Sequence, residues 1–290
     1  MPLRALLDGK QLYSFLHLDD EWQQLKQNDI RKRLKMACCD RRAIPKTSKL
    51  GTPYFAHHKR GDCSSAPESA EHLYLKSLVA KTAIEFGWNV VTEQRGETPD
   101  GEAWVADVFC SKGSSKLAFE IQWSYQHREE FERRQAKYVA SGVRCAWLYR
   151  LHAGREYTDS DIGTSDQLPI FGFREGNERL SFCVPKFQIN VETFIRGIFS
   201  KQLKWFPIVG DELEVRVYPF NARCWRCEKW TKVISHIDIL SSEFGYLEGA
   251  RINDKKAAIW LANNLSQDDL SPHKIPQIRS RYCKTEKSPI

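Results

Sequence analysis

The sequence of 290 residues has only two methionines and no run of eighteen or more apolar residues. A helix needs about 20 predominantly apolar residues to cross a bilayer, so the sequence predicts no membrane span. A charged residue follows Met1 too soon for a secretory signal, and we expect a cytoplasmic protein. The sequence also lacks a Gly-x-x-x-x-Gly-Lys-Ser/Thr motif, so any ATP-driven step would need a partner such as a helicase or a recombinase.

Cysteine is present in an odd number, nine. Without a secretory signal this favours reduced thiols, and metal binding rather than disulfides where cysteines cluster. Cys224 and Cys227 form a Cys-x-x-Cys motif beside aromatic and basic residues, which is half of a zinc ribbon. The pattern favours either a structural Zn²⁺ or two free thiols, and less a redox pair, since no βα unit surrounds it.

A second group of metal-ligand types precedes residue 64. Its members are Cys38, Cys39, His57, His58 and Cys63. Their spacing is irregular, so the segment is either a zinc site or a degenerate zinc knuckle that has lost ligands.

The positive charge of the chain is concentrated in one segment. Residues 26–60 contain eleven Lys or Arg and two Asp, a net charge of +9, whereas the whole chain carries +7. Such a block attracts a polyanion, and we expect single- or double-stranded DNA, or RNA. The alternative is a solvated basic face or a flexible arm.

The order of hydrophobic patterns predicts an α/β protein. We expect helices over 19–35, 64–87, 126–141 and 191–199, with Ser65 and Glu68 as a capping box of the second. Strand patterns cover 11–17, 88–93, 104–110, 116–124, 143–149 and 212–218. Together they predict a mixed sheet with helices on both sides, and 41% hydrophobic residues suffice for its core.

Two carboxylates interrupt the apolar hairpin strands. Asp107 lies in the first strand and Glu120 in the second, where Gln122 shares a face with Glu120 because alternate residues project to one side. Buried carboxylates require a cation, and oxygen ligands from neighbouring strands suit Mg²⁺ or Mn²⁺.

The helix over 64–87 presents polar residues on one face. Glu68, His72 and Lys76 recur every fourth position, with Glu71 beside them. The plain interpretation is an exposed face with i,i+4 ion pairs.

This order of elements resembles the PD-(D/E)XK restriction-endonuclease-like nuclease core, and in detail the competence protein CoiA family. The likeness covers roughly residues 35–150 and rests on Pro53–His57, Glu71-His72-x-x-x-Lys76, Asp107, Phe119–Ser124 and Arg134-x-x-x-Tyr138. The dipeptide Pro99-Asp100 mimics the name of the superfamily but lies in a predicted turn.

The resemblance implies a Mg²⁺-dependent nuclease. Glu71, Asp107 and Glu120 would hold the metal, and Gln122, where the family pattern usually has lysine, would orient the attacking water. Gln122 cannot act as a base, so Lys76 or His72 would supply a cation or a proton acceptor. Nucleic-acid contacts are expected from His72, Arg128, Arg134 and Tyr138, although Tyr138 would equally suit the core.

The sequence therefore predicts a basic N-terminal module over 1–64, a nuclease core over 65–155 and a C-terminal module over 156–290 with a basic tail. The expected function is hydrolysis of DNA phosphodiesters during processing of incoming or foreign DNA, in recombination or in defence against mobile elements. The alternative is a DNA-binding accessory protein that has lost catalysis, because the lysine is missing.

Overall fold

The computed structural model describes residues 2–63, 67–152, 154, 167–176, 180–203, 212–223, 228–242 and 245–251. The chain divides into two compact units, Met1–Leu203 and Lys204–Ile290. None of the helices in these described ranges combines the length and the apolarity that crossing a bilayer requires.

The first unit begins with two small antiparallel sheets around helix α1 (Asp19–Gln27). One sheet has the order β2-β1-β3, and the other pairs β4 with β5. The strands are β1 (Arg4–Leu7), β2 (Lys10–Tyr13), β3 (Leu34–Met36), β4 (Ala43–Thr47) and β5 (Pro53–His57). A core of six buried residues joins them: Ala5, Trp22, Leu34, Met36, Ala43 and Phe55.

Helix α1 is shorter than predicted. Asn28 takes an extended conformation and its side chain accepts the N–H of Ile30, which ends the helix and begins a 3-10 turn over Asp29–Arg33. Leu34 and Met36 then pair with β1 and enter the core. The prediction that the helix extends to residue 35 is therefore wrong, because the residues of its expected last turn form strand β3 and pair with β1.

The centre of the first unit is a seven-stranded mixed sheet with the order β12-β11-β10-β9-β8-β7-β6. Its strands are β6 (Asn89–Glu97), β7 (Ala103–Lys112), β8 (Ser115–Gln122), β9 (Arg144–Arg150), β10 (Ile170–Glu175), β11 (Phe182–Val184) and β12 (Ile189–Asn190). The β8–β9 and β9–β10 pairs are parallel and the others antiparallel. This confirms the predicted mixed sheet and hairpin, and the sheet continues beyond residue 155.

Helices cover both faces of this sheet, as predicted. Ala118 of β8 packs in one core cluster with Phe131 of α3 (Arg128–Ala140). Its neighbour Phe119 contacts Phe199 of α4 (Val191–Phe199), with ring centroids 5.4 Å apart. Since successive strand residues project to opposite faces, α3 and α4 lie on opposite sides, and α2 (Ala70–Glu85) packs beside α4.

Helix α2 begins at Ala70, five residues after Ser65, the predicted N-cap. Ser69 is its N-cap, and its side chain accepts the N–H of His72 at 3.1 Å. Ser65 lies outside the described residues. The helix ends at Glu85, and Gly87, just after the C-cap Phe86, has a φ of +74° that favours glycine. The interpretation of Glu68, His72 and Lys76 as an exposed face is wrong, because the Lys76 side chain is 0% exposed.

The second unit contains an antiparallel sheet with the order β13-β14-β15. The strands are β13 (Leu213–Arg223), β14 (Trp230–Ser241) and β15 (Gly245–Arg251). The predicted strand over 212–218 is therefore present, but it begins one residue later and ends five residues later. Cys224, Cys227 and the basic tail lie outside the described residues, so their predicted roles stay predictions.

Candidate active site

Asp107 lies at an irregular point of the β6–β7 pairing. Thr92 pairs with Val108 and Gln94 with Ala106, whereas Glu93, between the paired residues, has a left-handed φ of 50°. The Asp107 carboxylate accepts the backbone N–H of Ile121 in β8 at 2.9 Å. This position fixes the carboxylate at the junction of three neighbouring strands.

Helix α2 directs a polar row at this carboxylate. His72 Nε2 lies 3.2 Å from Asp107 Oδ2, and Lys76 Nζ lies 3.6 Å from Asp107 Oδ1. The ammonium group of Lys76 also contacts Glu68 at 3.0 Å and Glu93 at 2.5 Å. Residues four apart share one side of a helix, so His72 and Lys76 both face Asp107. Glu68 lies just before the N-cap Ser69, and its carboxylate reaches the same place from outside the helix.

The charges around Lys76 determine its protonation. Burial alone would lower the pKa of Lys76, but the carboxylates of Glu68, Glu93 and Asp107 outweigh it and hold this pKa well above its ordinary value. Burial would likewise raise the pKa of Asp107, but His72, Lys76 and the Ile121 N–H keep it below its ordinary value. Lys76 is therefore a fixed cation rather than a proton acceptor, and Asp107 is ionised.

Glu120 forms a second group with helix α3. The Glu120 side chain accepts a hydrogen bond from Arg134 at 2.8 Å and another from the Tyr138 hydroxyl. Arg134 also donates to Gln122 Oε1 at 3.2 Å and stacks over Trp147 at 4.6 Å. Burial and the charge of Asp107 raise the pKa of Glu120 to about 7, although Arg134 and Tyr138 oppose this.

The two groups together carry an excess of negative charge. Glu68, Glu93, Asp107 and Glu120 are four carboxylates, and Lys76 and Arg134 are the cations bonded to them. Burial is the largest cause of the raised pKa of Glu120, and the negative charge of Asp107 adds to it. A divalent cation would compensate it.

One part of this site has a donor set that suits a metal. Glu68, His72 and Asp107 each offer an atom, and these atoms lie within 4.8 Å of one another. Carboxylate oxygens suit Mg²⁺ and Mn²⁺. The Oε2 atom of Glu93 is buried without a hydrogen-bond partner in the described part of the chain. This is a second sign that the negative charge of the site is not fully balanced by the cations near it.

Other predicted site residues lie elsewhere. Glu71 is outside the group around Asp107 and pairs with Lys49 at 2.8 Å. Arg128 pairs with Glu132 at 3.0 Å, one turn along α3. Tyr138 is 1% exposed and bonds to Glu120 and to Val105 O, so the expected contact of Tyr138 with a DNA strand does not fit this conformation.

Sequence reasoning missed two of the clustered carboxylates as site residues. The sequence contained a sign of Glu68, because it is spaced four residues from His72 and eight from Lys76. Glu93 lies at the end of a predicted strand, and no sequence pattern marks it as a site residue.

The turn residues Pro99 and Asp100 are both exposed, and Gly101 N–H donates to Thr98 O. The predicted turn there is confirmed.

The mixed sheet with helices on both faces and a carboxylate pair on its hairpin defines a nuclease-like core of the PD-(D/E)XK class. The family is more specific. Residues 68–195 match the family described as "Competence protein CoiA, nuclease-like domain", and this part of the chain is similar to that domain. No curated protein matches the chain.

Proposed function

We propose that this protein is a metal-dependent DNA nuclease that hydrolyses phosphodiester bonds of incoming or foreign DNA. The family supports a nuclease-related role, and one observation carries the finer proposal: the carboxylates of Asp107 and Glu68 converge with His72 beside the fixed cation Lys76. Convergent carboxylates can hold a metal ion that promotes hydrolysis of a phosphodiester, and a neighbouring cation can stabilise the charge that develops on the phosphate.

The residues of the site would have two different roles in this reaction, metal binding and charge stabilisation. Asp107 and Glu68 would hold Mg²⁺ or Mn²⁺, with His72 next to them, and Glu120 supplies a further carboxylate from β8. A bound cation of this kind polarises the phosphate and lowers the pKa of the attacking water. Lys76 places a permanent positive charge beside Asp107, where it can stabilise the negative charge that develops on the phosphate.

Gln122 and Arg134 act as one unit in this proposal. Arg134 holds the Gln122 oxygen at 3.2 Å, while the Gln122 amide nitrogen donates to Ser124 O at 3.0 Å. This fixes the orientation of the amide, which can position a water molecule by hydrogen bonding but cannot remove its proton.

DNA would be attracted by the basic N-terminal segment. Arg42, Lys46, Lys59 and Arg60 are exposed there. Four further basic residues of this segment form ion pairs with acids. The pairs are Lys32–Asp29, Arg33–Asp8, Lys35–Asp40 and Arg41–Asp62. The effective positive charge is thus smaller than the sequence count, and binding should weaken steeply with salt.

The second candidate is a DNA-binding accessory protein without catalysis. Two observations favour it: Gln122 replaces the strand lysine, and Lys76 and Arg134 already neutralise carboxylates that a metal would need. Such a protein would act with a DNA-processing partner such as a helicase or a recombinase.

Cleavage of labelled single- and double-stranded DNA in Mg²⁺, Mn²⁺ or EDTA tests the proposal, with Asp107→Asn as the variant. Asp100→Asn, which changes an exposed acid in the turn after β6, is the matched control. We expect metal-dependent cleavage that falls at least 100-fold in Asp107→Asn and stays unchanged in Asp100→Asn. Salt-sensitive binding without cleavage in any metal would support the accessory role instead.

A further inference from the structure

Outside the nuclease-like site, one cluster of thiols and an imidazole converges in the N-terminal part of the first unit. Cys38 and Cys39 lie in the turn between β3 and β4, His57 is the last residue of β5, and Cys63 follows it. Their ligand atoms all lie within 4.8 Å of one another. We propose that these four residues bind one structural Zn²⁺ ion.

The distances between the ligand atoms fit a tetrahedral ion. Zn–S bonds of about 2.3 Å and Zn–N bonds of about 2.0–2.1 Å place two sulfurs about 3.8 Å apart and a sulfur and a nitrogen about 3.6 Å apart at tetrahedral angles. Cys38 Sγ lies 3.8 Å from Cys39 Sγ, 3.6 Å from Cys63 Sγ and 3.5 Å from His57 Nε2, and Cys39 Sγ lies 3.2 Å from His57 Nε2.

The fold of the turn explains how two consecutive cysteines point to one centre. The N–H of Asp40 donates to Met36 O at 2.9 Å, and the N–H of Met36 donates to Arg41 O at 2.7 Å. Asp40 has a left-handed φ of 56°. The chain therefore reverses tightly around Cys38 and Cys39, and both thiols reach the same His57 nitrogen.

The structure selects His57 over its neighbour. His57 is partly buried and faces the thiols, whereas His58 is exposed and its backbone N–H pairs with Arg42 O. Three thiolates and one imidazole fill a tetrahedral shell, and a shell without an open position is typical of structural rather than catalytic zinc.

A disulfide explains the cluster less well. A bond between Cys38 and Cys63 needs sulfurs about 2.05 Å apart, and it would leave Cys39 and His57 gathered at the same point without a reason. A metal uses all four groups. An ion that links the β3–β4 turn, β5 and Cys63 would add a cross-link beside the small core around Trp22 and Phe55, against which Cys38 and Cys39 pack.

Metal analysis of the full-length protein, purified without a histidine tag, tests this site. We expect Cys39→Ser and His57→Ala to contain one equivalent of zinc less than the wild type. His58→Ala and Cys183→Ser are matched controls that should lose none, and Cys224→Ser with Cys227→Ser accounts separately for any zinc at that motif. Equal zinc content in the wild type, Cys39→Ser and His57→Ala would overturn the proposal.

A second measurement uses the wild type alone, so that misfolding of a variant cannot obscure the result. Thiols are alkylated with and without a zinc chelator and mapped by mass spectrometry. Cys38, Cys39 and Cys63 should be protected until the chelator is added, while the partly buried Cys183 should react equally in both samples. Equal reactivity of the three thiols in both samples, or a Cys38–Cys63 disulfide in the untreated protein, would contradict a zinc site.

Discussion

The ammonium group of Lys76 lies 3.6 Å from the Asp107 carboxylate. The two residues come from different elements, since Lys76 lies in α2 and Asp107 in β7. Helix α2 thereby brings a cation to a site whose β8 strand has Gln122 at the position where lysine is usual. The absence of a strand lysine is therefore weaker support for lost catalysis than the sequence alone suggests.

Replacing Lys76 with Met should destabilise the protein by roughly 3–5 kcal/mol, because Glu68, Glu93 and Asp107 would lose their buried counter-charge. Urea unfolding with and without Mg²⁺ measures this effect. Mg²⁺ should restore more stability to this variant than to the wild type. Lys81→Met, at an exposed position of the same helix, should change the free energy of unfolding by about 0.5 kcal/mol or less.

Glu68 and Glu71 should differ sharply although they are three residues apart. Glu68→Gln removes a carboxylate that converges with Asp107, so we expect about a 10-fold or greater loss of Mn²⁺ affinity and a matching loss of cleavage. Glu71→Gln breaks the ion pair with the exposed Lys49 and should cost about 1 kcal/mol or less. Titration calorimetry with Mn²⁺ compares them, and a larger effect of Glu71→Gln would restore the metal role predicted from the sequence.

The stability of the metal-free protein should depend on the ionisation of Glu120. Its pKa is raised to about 7 in the folded state, so Glu120 contributes stability below its ordinary pKa, and this contribution is lost as the pH rises through 7. Over the full range the loss is about 3 kcal/mol at about 1.4 kcal/mol per pKa unit.

Urea midpoints from pH 5 to pH 8 in EDTA measure this loss. The wild type should lose more stability across this range than Glu120→Gln, and Mg²⁺ should reduce the difference. Glu97→Gln, at an exposed position of β6, should follow the wild type. Parallel curves for the wild type and Glu120→Gln would contradict the raised pKa.

Restoring the usual lysine at position 122 should not increase cleavage. Gln122 Oε1 accepts a hydrogen bond from Arg134, so Gln122→Lys would lose this acceptor and place a second cation beside the guanidinium. We expect a loss of about 1.5–3 kcal/mol in stability and a cleavage rate no higher than that of the wild type. Ser115→Lys, which adds the same charge at an exposed position of β8, is the control. A faster Gln122→Lys enzyme would show that Lys76 does not replace the strand lysine.

Much of the fold followed from the sequence because its signals were local. Alternation of side chains predicts the hairpin of β7 and β8, and helical period predicts the helix over Val191–Phe199. The conformational freedom of Gly87 predicts the end of α2 just before it. The end of α1 did not follow, since pairing of Leu34 and Met36 with β1 joins residues distant in sequence. A pattern in neighbouring residues carries no information about a contact between residues that are distant in sequence.

The site was only partly predictable for a related reason. Asp107 and Glu120 stand out because carboxylates are costly in apolar strands, and Lys76 was identified through the family resemblance. Glu68 precedes α2 and Glu71 lies in its first turn, so which of these acids faces the sheet depends on where the helix begins and on its packing against β6 and β7. Glu93 joins the cluster only through the irregular pairing opposite Asp107.

The N-terminal strands contact this cluster directly. The backbone N–H of Leu3 donates to Glu93 Oε1 at 3.3 Å, and the side chain of Arg4 donates to Glu93 O at 3.0 Å. Glu93 in turn pairs with the buried Lys76. A fragment that starts at residue 65 would therefore lack part of the support for its own charged centre, so the two segments should unfold as one cooperative unit and would not tolerate exchange with those of a distant relative.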